Sequence, residues 1–143
     1  MINKKAASMI TVIVIIALIA LVLRVAIAQI VRINISQNES AAQSTLKLLS
    51  TALENFAKDN LGSYPQELSL LTRTSPPYLD SNFSIDLPLK GYMFVCPRLD
   101  SSGYSCTAFP IKCNLSGERN FTVSTGGALI SEQCKKGNKE EEK

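Results

Sequence analysis

Four cysteines are the residues of this chain best suited to covalent chemistry, and all lie in its second half: Cys96, Cys106, Cys113 and Cys134. An even number of cysteines in a small domain outside the cytoplasm favours disulfides, and four cysteines allow three pairings. We expect one bond between Cys96 and Cys106, across a hairpin that turns at Ser101-Ser102. A second bond, between Cys113 and Cys134, would tie the last segment of the domain back to a sheet.

Other chemistry is limited because the chain has no histidine. Neither a Ser-His-Asp nor a Cys-His nucleophile can be built, and the commonest general base near neutral pH is missing. The alternative to disulfides, a metal site formed by all four widely spaced cysteines, is disfavoured because no CxxC pair occurs. Ser124-Thr-Gly-Gly127 lacks the spacing and the lysine of a phosphate-binding loop. We therefore expect no enzymatic activity, no cofactor and no bound metal.

The charged residues are scattered along the chain. We expect most of the carboxylates, which include Glu54, Asp59, Glu67, Asp80, Asp86, Asp100, Glu118 and Glu132, to be solvated surface charges. Asp100 lies beside serines in a predicted hairpin loop. This combination favours a turn over a calcium site. The net charge of +3, without a basic patch interleaved with aromatic residues, argues against nucleic acid as a partner.

An almost wholly apolar segment, Ala6 to Val31, follows Lys4 and Lys5. About 20 helical residues span the hydrocarbon core of a bilayer, so we predict a basic leader at 1–6 and a membrane helix at 7–33 in contact with lipid. The short basic arm favours a cytoplasmic N-terminus and export of the rest. A cleavable signal peptide is the competing interpretation, but the apolar run exceeds the roughly 7–15 residues of such signals.

A second helical pattern follows the membrane segment. Five apolar residues recur at steps of four and three, the spacing that gathers one stripe on a helix: Ala42, Leu46, Leu49, Leu53 and Phe56. Four polar residues fall largely off this stripe: Lys47, Ser50, Glu54 and Lys58. No proline or glycine interrupts the chain before Gly62, so we predict one continuous helix of about 50 residues that ends there.

The remainder of the chain predicts shorter elements. Pro65–Leu71 favours a short helix, and three segments rich in aromatic and β-branched residues predict antiparallel strands: Tyr92–Cys96, Tyr104–Phe109 and Asn120–Ser124. The predicted fold class is α+β: a long N-terminal α-helix, membrane-spanning in its first half, packs by its C-terminal half on a small antiparallel β-sheet. The exported α+β domain would cover 34–134, with a charged, solvated tail at 135–143.

Three segments, taken in order, resemble type IV pilins and type II secretion pseudopilins. Lys4–Ile16 looks like the prepilin-type methylation motif, in which a short basic leader precedes an apolar helix. Asn60–Pro65 is similar to the Gly-x-Tyr-Pro turn that follows the long helix in many of these proteins. Tyr104–Pro110 with Gly117–Val123 resembles their closing strands. The resemblance covers nearly the whole chain up to Cys134.

The resemblance implies a pilin-like fold and a membrane-held precursor that a prepilin peptidase cleaves, here between Ala6 and Ala7. The subunit would be a single-pass protein of the inner membrane with its C-terminal domain periplasmic or extracellular. An assembly platform would join it to other pilin-like subunits through the apolar helix, in a filament or a short pseudopilus.

Three positions depart from the family pattern. Ala6 replaces the glycine before the cut, and Ala7 replaces the phenylalanine after it. Thr11 replaces the glutamate that pairs with a neighbouring subunit in the family. These differences favour a minor or divergent component over a major subunit.

An alternative function is a single-pass, membrane-anchored binding module that does not polymerise. Five Asn-x-Ser/Thr sequons would accept glycans in a eukaryotic secretory compartment and have no such meaning in a bacterium: Asn34, Asn38, Asn82, Asn114 and Asn120.

Overall fold

The computed structural model describes residues 4–80 and 87–135, with side chains from Met9 onward. Its elements in chain order are α1 (Lys4–Asp59), α2 (Ser69–Arg73), β1 (Tyr92–Asp100), β2 (Gly103–Pro110), β3 (Arg119–Ser124) and β4 (Ala128–Gln133). Residues 1–3 of the predicted leader at 1–6 and residues 136–143 of the predicted tail at 135–143 lie outside the described residues. The chain divides into two units, Met1–Asn34 and Ile35–Lys143, and α1 contributes to both.

The first unit contains, in its described part, only the N-terminal part of α1. The side chains from Met9 to Ile30 are exposed. Within the described residues, α1 is the one helix that is long and apolar enough to cross a membrane, judged by length and composition, and its most apolar stretch has no buried residues. Such a large exposed apolar surface is unfavourable in water and indicates an environment other than water.

The C-terminal part of α1 forms the core of the second unit. The predicted stripe is confirmed: Ala42, Leu46, Leu49 and Leu53 are buried, and Phe56 packs partly buried against them. Alternate residues on the facing side of the sheet complete this core, as expected for strands with one covered face: Tyr92, Phe94, Cys106, Ala108, Phe121 and Val123.

The end of α1 differs slightly from the prediction. The helix ends at Asp59, and the Gly62 N–H donates to the Ala57 carbonyl at 2.7 Å. This bond belongs to a Schellman cap, in which the residue before the donor is left-handed. Leu61 takes that conformation with φ 57°, and Gly62 follows with φ 86°. Gly62 therefore belongs to the cap, and the left-handed position that glycine usually takes after a helix is occupied by Leu61.

The four strands form one antiparallel sheet in the order β1-β2-β3-β4. The prediction of three strands was wrong because it missed β4, Ala128–Gln133. This strand pairs only with β3, and Leu129 is its one side chain that packs partly buried against the core. An edge strand with one inward apolar residue lacks the alternation by which strands are recognised in sequence.

The short helix also begins later than predicted. It covers Ser69–Arg73 instead of Pro65–Leu71. Pro65 is fully buried, and the Leu70 and Leu71 N–H groups donate to carbonyls three residues earlier, in turns that precede regular helix. The proline is therefore a buried residue that precedes the helix, and Leu71 is the buried residue of α2.

Candidate functional site

The residues predicted to be processed lie at the start of α1. Ala6 and Ala7 are helical, but their side chains fall outside the described part of the chain. Thr11 is an exposed residue of the same helix. Around it, the described side chains form the apolar surface that runs to Ile30, with Arg24 as the only charged residue between Met9 and Ile30. This surface can contact lipid or other apolar helices.

The four cysteines are joined as Cys96–Cys106 and Cys113–Cys134, the pairing favoured from the sequence. The first bond bridges β1 and β2 where the register shifts between Val95 and Arg98. The second joins the loop after β2 to the residue after β4, whose N–H also donates to the Glu118 carbonyl at 2.9 Å. Because all four sulfurs are bonded in pairs, none is a free thiolate.

A polar cluster links α1 to the sheet at the C-terminal end of the helix, and its central residue is Glu54. One carboxylate oxygen, Oε1, accepts hydrogen bonds from the Tyr104 hydroxyl at 2.9 Å and from the Gly126 N–H at 2.7 Å. The other, Oε2, accepts one from the Tyr64 hydroxyl at 3.0 Å. Glu54 is thus an exception to the expectation that most carboxylates are solvated surface charges. It connects α1 to β2, to the β3–β4 turn and to the segment after the helix.

Ser50 extends this cluster into the core. Its side chain is buried, and its Oγ lies 2.8 Å from the Tyr104 Oη. Burial, opposed by the Ser50 hydrogen bond and assisted by Glu54, raises the pKa of Tyr104 to about 12. Burial and the Glu54 carboxylate also raise the pKa of Tyr64. Both phenols therefore stay protonated, and remain donors to Glu54, at neutral pH.

Replacing Glu54 with alanine is expected to lower the free energy of unfolding by about 2–3 kcal/mol, because three donors lose a charged acceptor. Glu54→Gln keeps the shape and one acceptor oxygen and should cost about 1 kcal/mol. The measurement is urea unfolding of the full chain in mild detergent, followed by near-ultraviolet circular dichroism of the tyrosines. Glu132→Ala on exposed β4 is the matched control. Equal stabilities for Glu54→Ala and Glu132→Ala would contradict the bonding described for Glu54.

A second polar cluster links an earlier part of α1 to the loop between β2 and β3. Asn38 Nδ2 donates to the Ser116 carbonyl at 2.9 Å, and Glu39 Oε1 accepts the Glu118 N–H at 2.8 Å. The Tyr92 hydroxyl, on β1, donates to the Arg119 carbonyl at 2.8 Å. Gly117 packs against the Tyr92 ring so closely that a Cβ would collide with it. A glycan on Asn38 would remove one of these bonds, which disfavours glycosylation of that sequon in the folded domain.

Alkaline pH should destabilise the domain through its buried phenols. Burial, with a contribution from Glu39, raises the pKa of Tyr92 to about 12, above the value near 10 for an exposed tyrosine. A raised folded-state pKa contributes stability that is complete below about pH 10 and is lost as the pH rises toward about 12. We expect the slope of stability against pH in this window to be shallower in Tyr92→Phe. An unchanged slope, or tyrosinate absorbance showing all four phenols titrating together, would refute this assignment.

Asp100 occupies the turn that the sequence predicted. Its Oδ1 accepts the Ser102 N–H at 2.8 Å, and its Oδ2 accepts the Arg98 Nε–H at 3.0 Å. The Ser102 hydroxyl also donates to Asp100 Oδ1. This hydroxyl bond contributes most, and together with the other two bonds it lowers the pKa of Asp100 to about 2. Both oxygens thus stabilise the β1–β2 turn. No group of three or more metal-ligating side chains occurs among the described residues.

Sequence reasoning missed both polar clusters. Ser50 follows Leu46 by four residues and Glu54 follows Ser50 by four, so both border the apolar stripe. This position was the one sequence feature that could have indicated that their side chains contact the sheet. Their partners come from distant segments that no local pattern connects. Comparisons with models of protein families, with curated proteins and with solved structures gave no match for this chain.

Proposed function

We propose that this protein is a pilin-like or pseudopilin structural subunit, without enzymatic activity, of an assembly of the type II secretion or type IV pilus type. The observation that carries the proposal is α1: one unbroken helix supplies both an exposed apolar segment and the core of a disulfide-bonded α+β domain. The resemblance of Lys4–Ile16 to prepilins supports the same function. In this proposal the apolar segment holds the subunit in the inner membrane and later packs against the helices of other subunits.

The proposed orientation puts the N-terminus in the cytoplasm, where a prepilin peptidase would act at Ala6-Ala7. The domain Ile35–Lys143 would lie in the periplasm or outside the cell, and its two disulfides are compatible with an oxidising compartment. The assembly platform and neighbouring subunits are then its protein partners, and membrane lipid surrounds the helix before assembly.

The test is the intact mass of the full chain recovered from bacterial membranes, after co-expression with an active or an inactive prepilin peptidase. We expect loss of residues 1–6 only with the active enzyme. Ala6→Gly restores the residue that the family has before the cut and should increase the processed fraction. A full-length mass in every strain, including Ala6→Gly, would overturn the proposal and favour the anchored module that does not polymerise.

A further inference from the structure

Two neighbouring loops of the second unit expose large apolar side chains. We call residues 87–91 and 111–117 the loop pair. Of the ten large apolar residues exposed in the described part of the second unit, four lie in the loop pair: Leu87 (72% exposed), Leu89 (46%), Ile111 (49%) and Leu115 (55%). Exposed apolar side chains gathered on neighbouring loops are typical of a contact surface.

The loop pair is held together and attached to α1. The Ile111 N–H donates to the Gly91 carbonyl at 3.0 Å, and Asn38 on α1 holds the Ser116 carbonyl. Gly91, with φ 76°, has so little space that a Cβ there would lie 2.9 Å from the Ser116 Cβ. The apolar residues are therefore carried by loops that are bonded to each other and to the helix.

The charge of the loop pair is positive. It contains Lys90 and Lys112, both exposed, and no carboxylate. Of the nearby acids among the described residues, Glu39 accepts the Glu118 N–H, and Glu118 is exposed outside the loops. Asp86, which directly precedes Leu87 in the sequence, lies outside the described residues. Lys90 also lines a shallow groove of about 440 Å³ with the serines of α1, Ser36, Ser40 and Ser44. Each lysine near an anionic membrane surface is attracted to it, and exposed leucine and isoleucine can bury apolar area in the interface.

The loop pair is bonded to α1 at a position that closely follows the apolar segment along the chain. Asn38, which binds the second loop, follows Ile33 by five residues of continuous helix, a rise of about 8 Å. The interfacial layer of a bilayer is itself several ångströms thick. If the apolar segment is inserted, the helical rise from Ile33 to the attachment point at Asn38 is therefore comparable with the thickness of this layer.

We propose that the loop pair docks on the anionic phospholipid surface of the membrane that holds the apolar segment. The apolar residues Leu87, Leu89, Ile111 and Leu115 enter the interface, and the ammonium groups of Lys90 and Lys112 bind lipid phosphates. This inference rests on the membrane anchoring in the proposed function. Docking would hold the domain against the bilayer before assembly, and release of the loop pair would accompany extraction of the subunit.

The chain contains no tryptophan, so single tryptophans can report on each position. Full-length Leu89→Trp and Leu115→Trp proteins would be reconstituted in vesicles of phosphatidylglycerol and phosphatidylcholine, with lipids brominated near the headgroup as quenchers. We expect quenching of about two-fold for both variants. Leu61→Trp, at a fully exposed position after α1, is the matched control and should not be quenched. Ile19→Trp, measured with lipids brominated deeper along their acyl chains, reports whether the apolar segment is inserted in the bilayer.

The quenching results distinguish docking of the loop pair from membrane anchoring by the apolar segment. If Ile19→Trp is quenched while Leu89→Trp and Leu115→Trp behave like Leu61→Trp, docking is overturned and anchoring stands. If Ile19→Trp is not quenched, the anchoring fails and docking fails with it. Adding Lys90→Glu and Lys112→Glu to Leu89→Trp should reduce quenching by about half in anionic vesicles, since each lysine contributes to surface attraction. Undiminished quenching would overturn the role of the two lysines.

Discussion

Leu49→Ala is expected to lower the free energy of unfolding of the domain by about 3–4 kcal/mol. Leu49 is fully buried, between α1 and the sheet, in the cluster that contains Leu46, Leu53 and Phe121. Removing the isobutyl branch there loses transfer free energy and leaves a cavity, because the facing strands are fixed by their ladder and cannot collapse into it. Urea unfolding of the full chain in mild detergent, followed by the near-ultraviolet signal of the tyrosines, gives the measurement.

The adjacent Leu48 offers a matched control. It is 54% exposed on the same helix turn, so Leu48→Ala removes the same atoms without opening a cavity. We expect a change within about 0.5 kcal/mol for this variant. Alanine has the higher helix propensity, so the control cannot lose stability through the helix itself. Similar losses for the two variants would mean that the stripe does not face the sheet.

Replacing both Cys113 and Cys134 with alanine is expected to cost about 3.3 kcal/mol, from the entropy of closing this loop in the unfolded chain. The sequence separation of this pair is 21, against 10 for Cys96 and Cys106, whose removal should cost about 2.7 kcal/mol. The same unfolding measurement applies. The order of the two effects reports whether chain entropy dominates.

Hydrogen exchange can show which strand the Cys113–Cys134 bond stabilises. Cys134 is the residue that ties the end of β4 to Glu118, through its N–H at 2.9 Å. Without the Cys113–Cys134 bond, amides of β4 should exchange faster while those of β1 and β2 keep their protection, because an edge strand opens locally before the sheet does. Unchanged protection of β4 in the Cys113→Ala, Cys134→Ala protein would contradict this role.

Local patterns were sufficient for much of the fold. The stripe from Ala42 to Phe56 was readable because a helix repeats every 3.6 residues, so burial on one face leaves a periodic trace. Hairpin geometry favoured Cys96 with Cys106, since the two cysteines flank one turn. The strand β4 was missed because it is exposed at the sheet edge, where selection for apolar alternation is weak.

The polar clusters could not be read from the sequence. Glu54 receives donors that are 10, 50 and 72 residues away along the chain. Each donor is ordinary in its own segment: a tyrosine after a helix, a tyrosine on a strand, and a glycine in a turn. Only the packing of α1 on the sheet brings them to one carboxylate.

The sequence by itself determined the apolar segment, the amphipathic continuation of α1 and the α+β class, because hydrophobic period and length are properties of neighbouring residues. The tertiary structure decided which polar groups meet. It placed Glu54 among tyrosines, bound Asn38 and Glu39 to the loop before β3, and brought together the loops that carry Leu89 and Leu115. Hydrogen bonds between distant segments depend on the register of strands and the position of the helix on the sheet, and neither is encoded in any single stretch of chain.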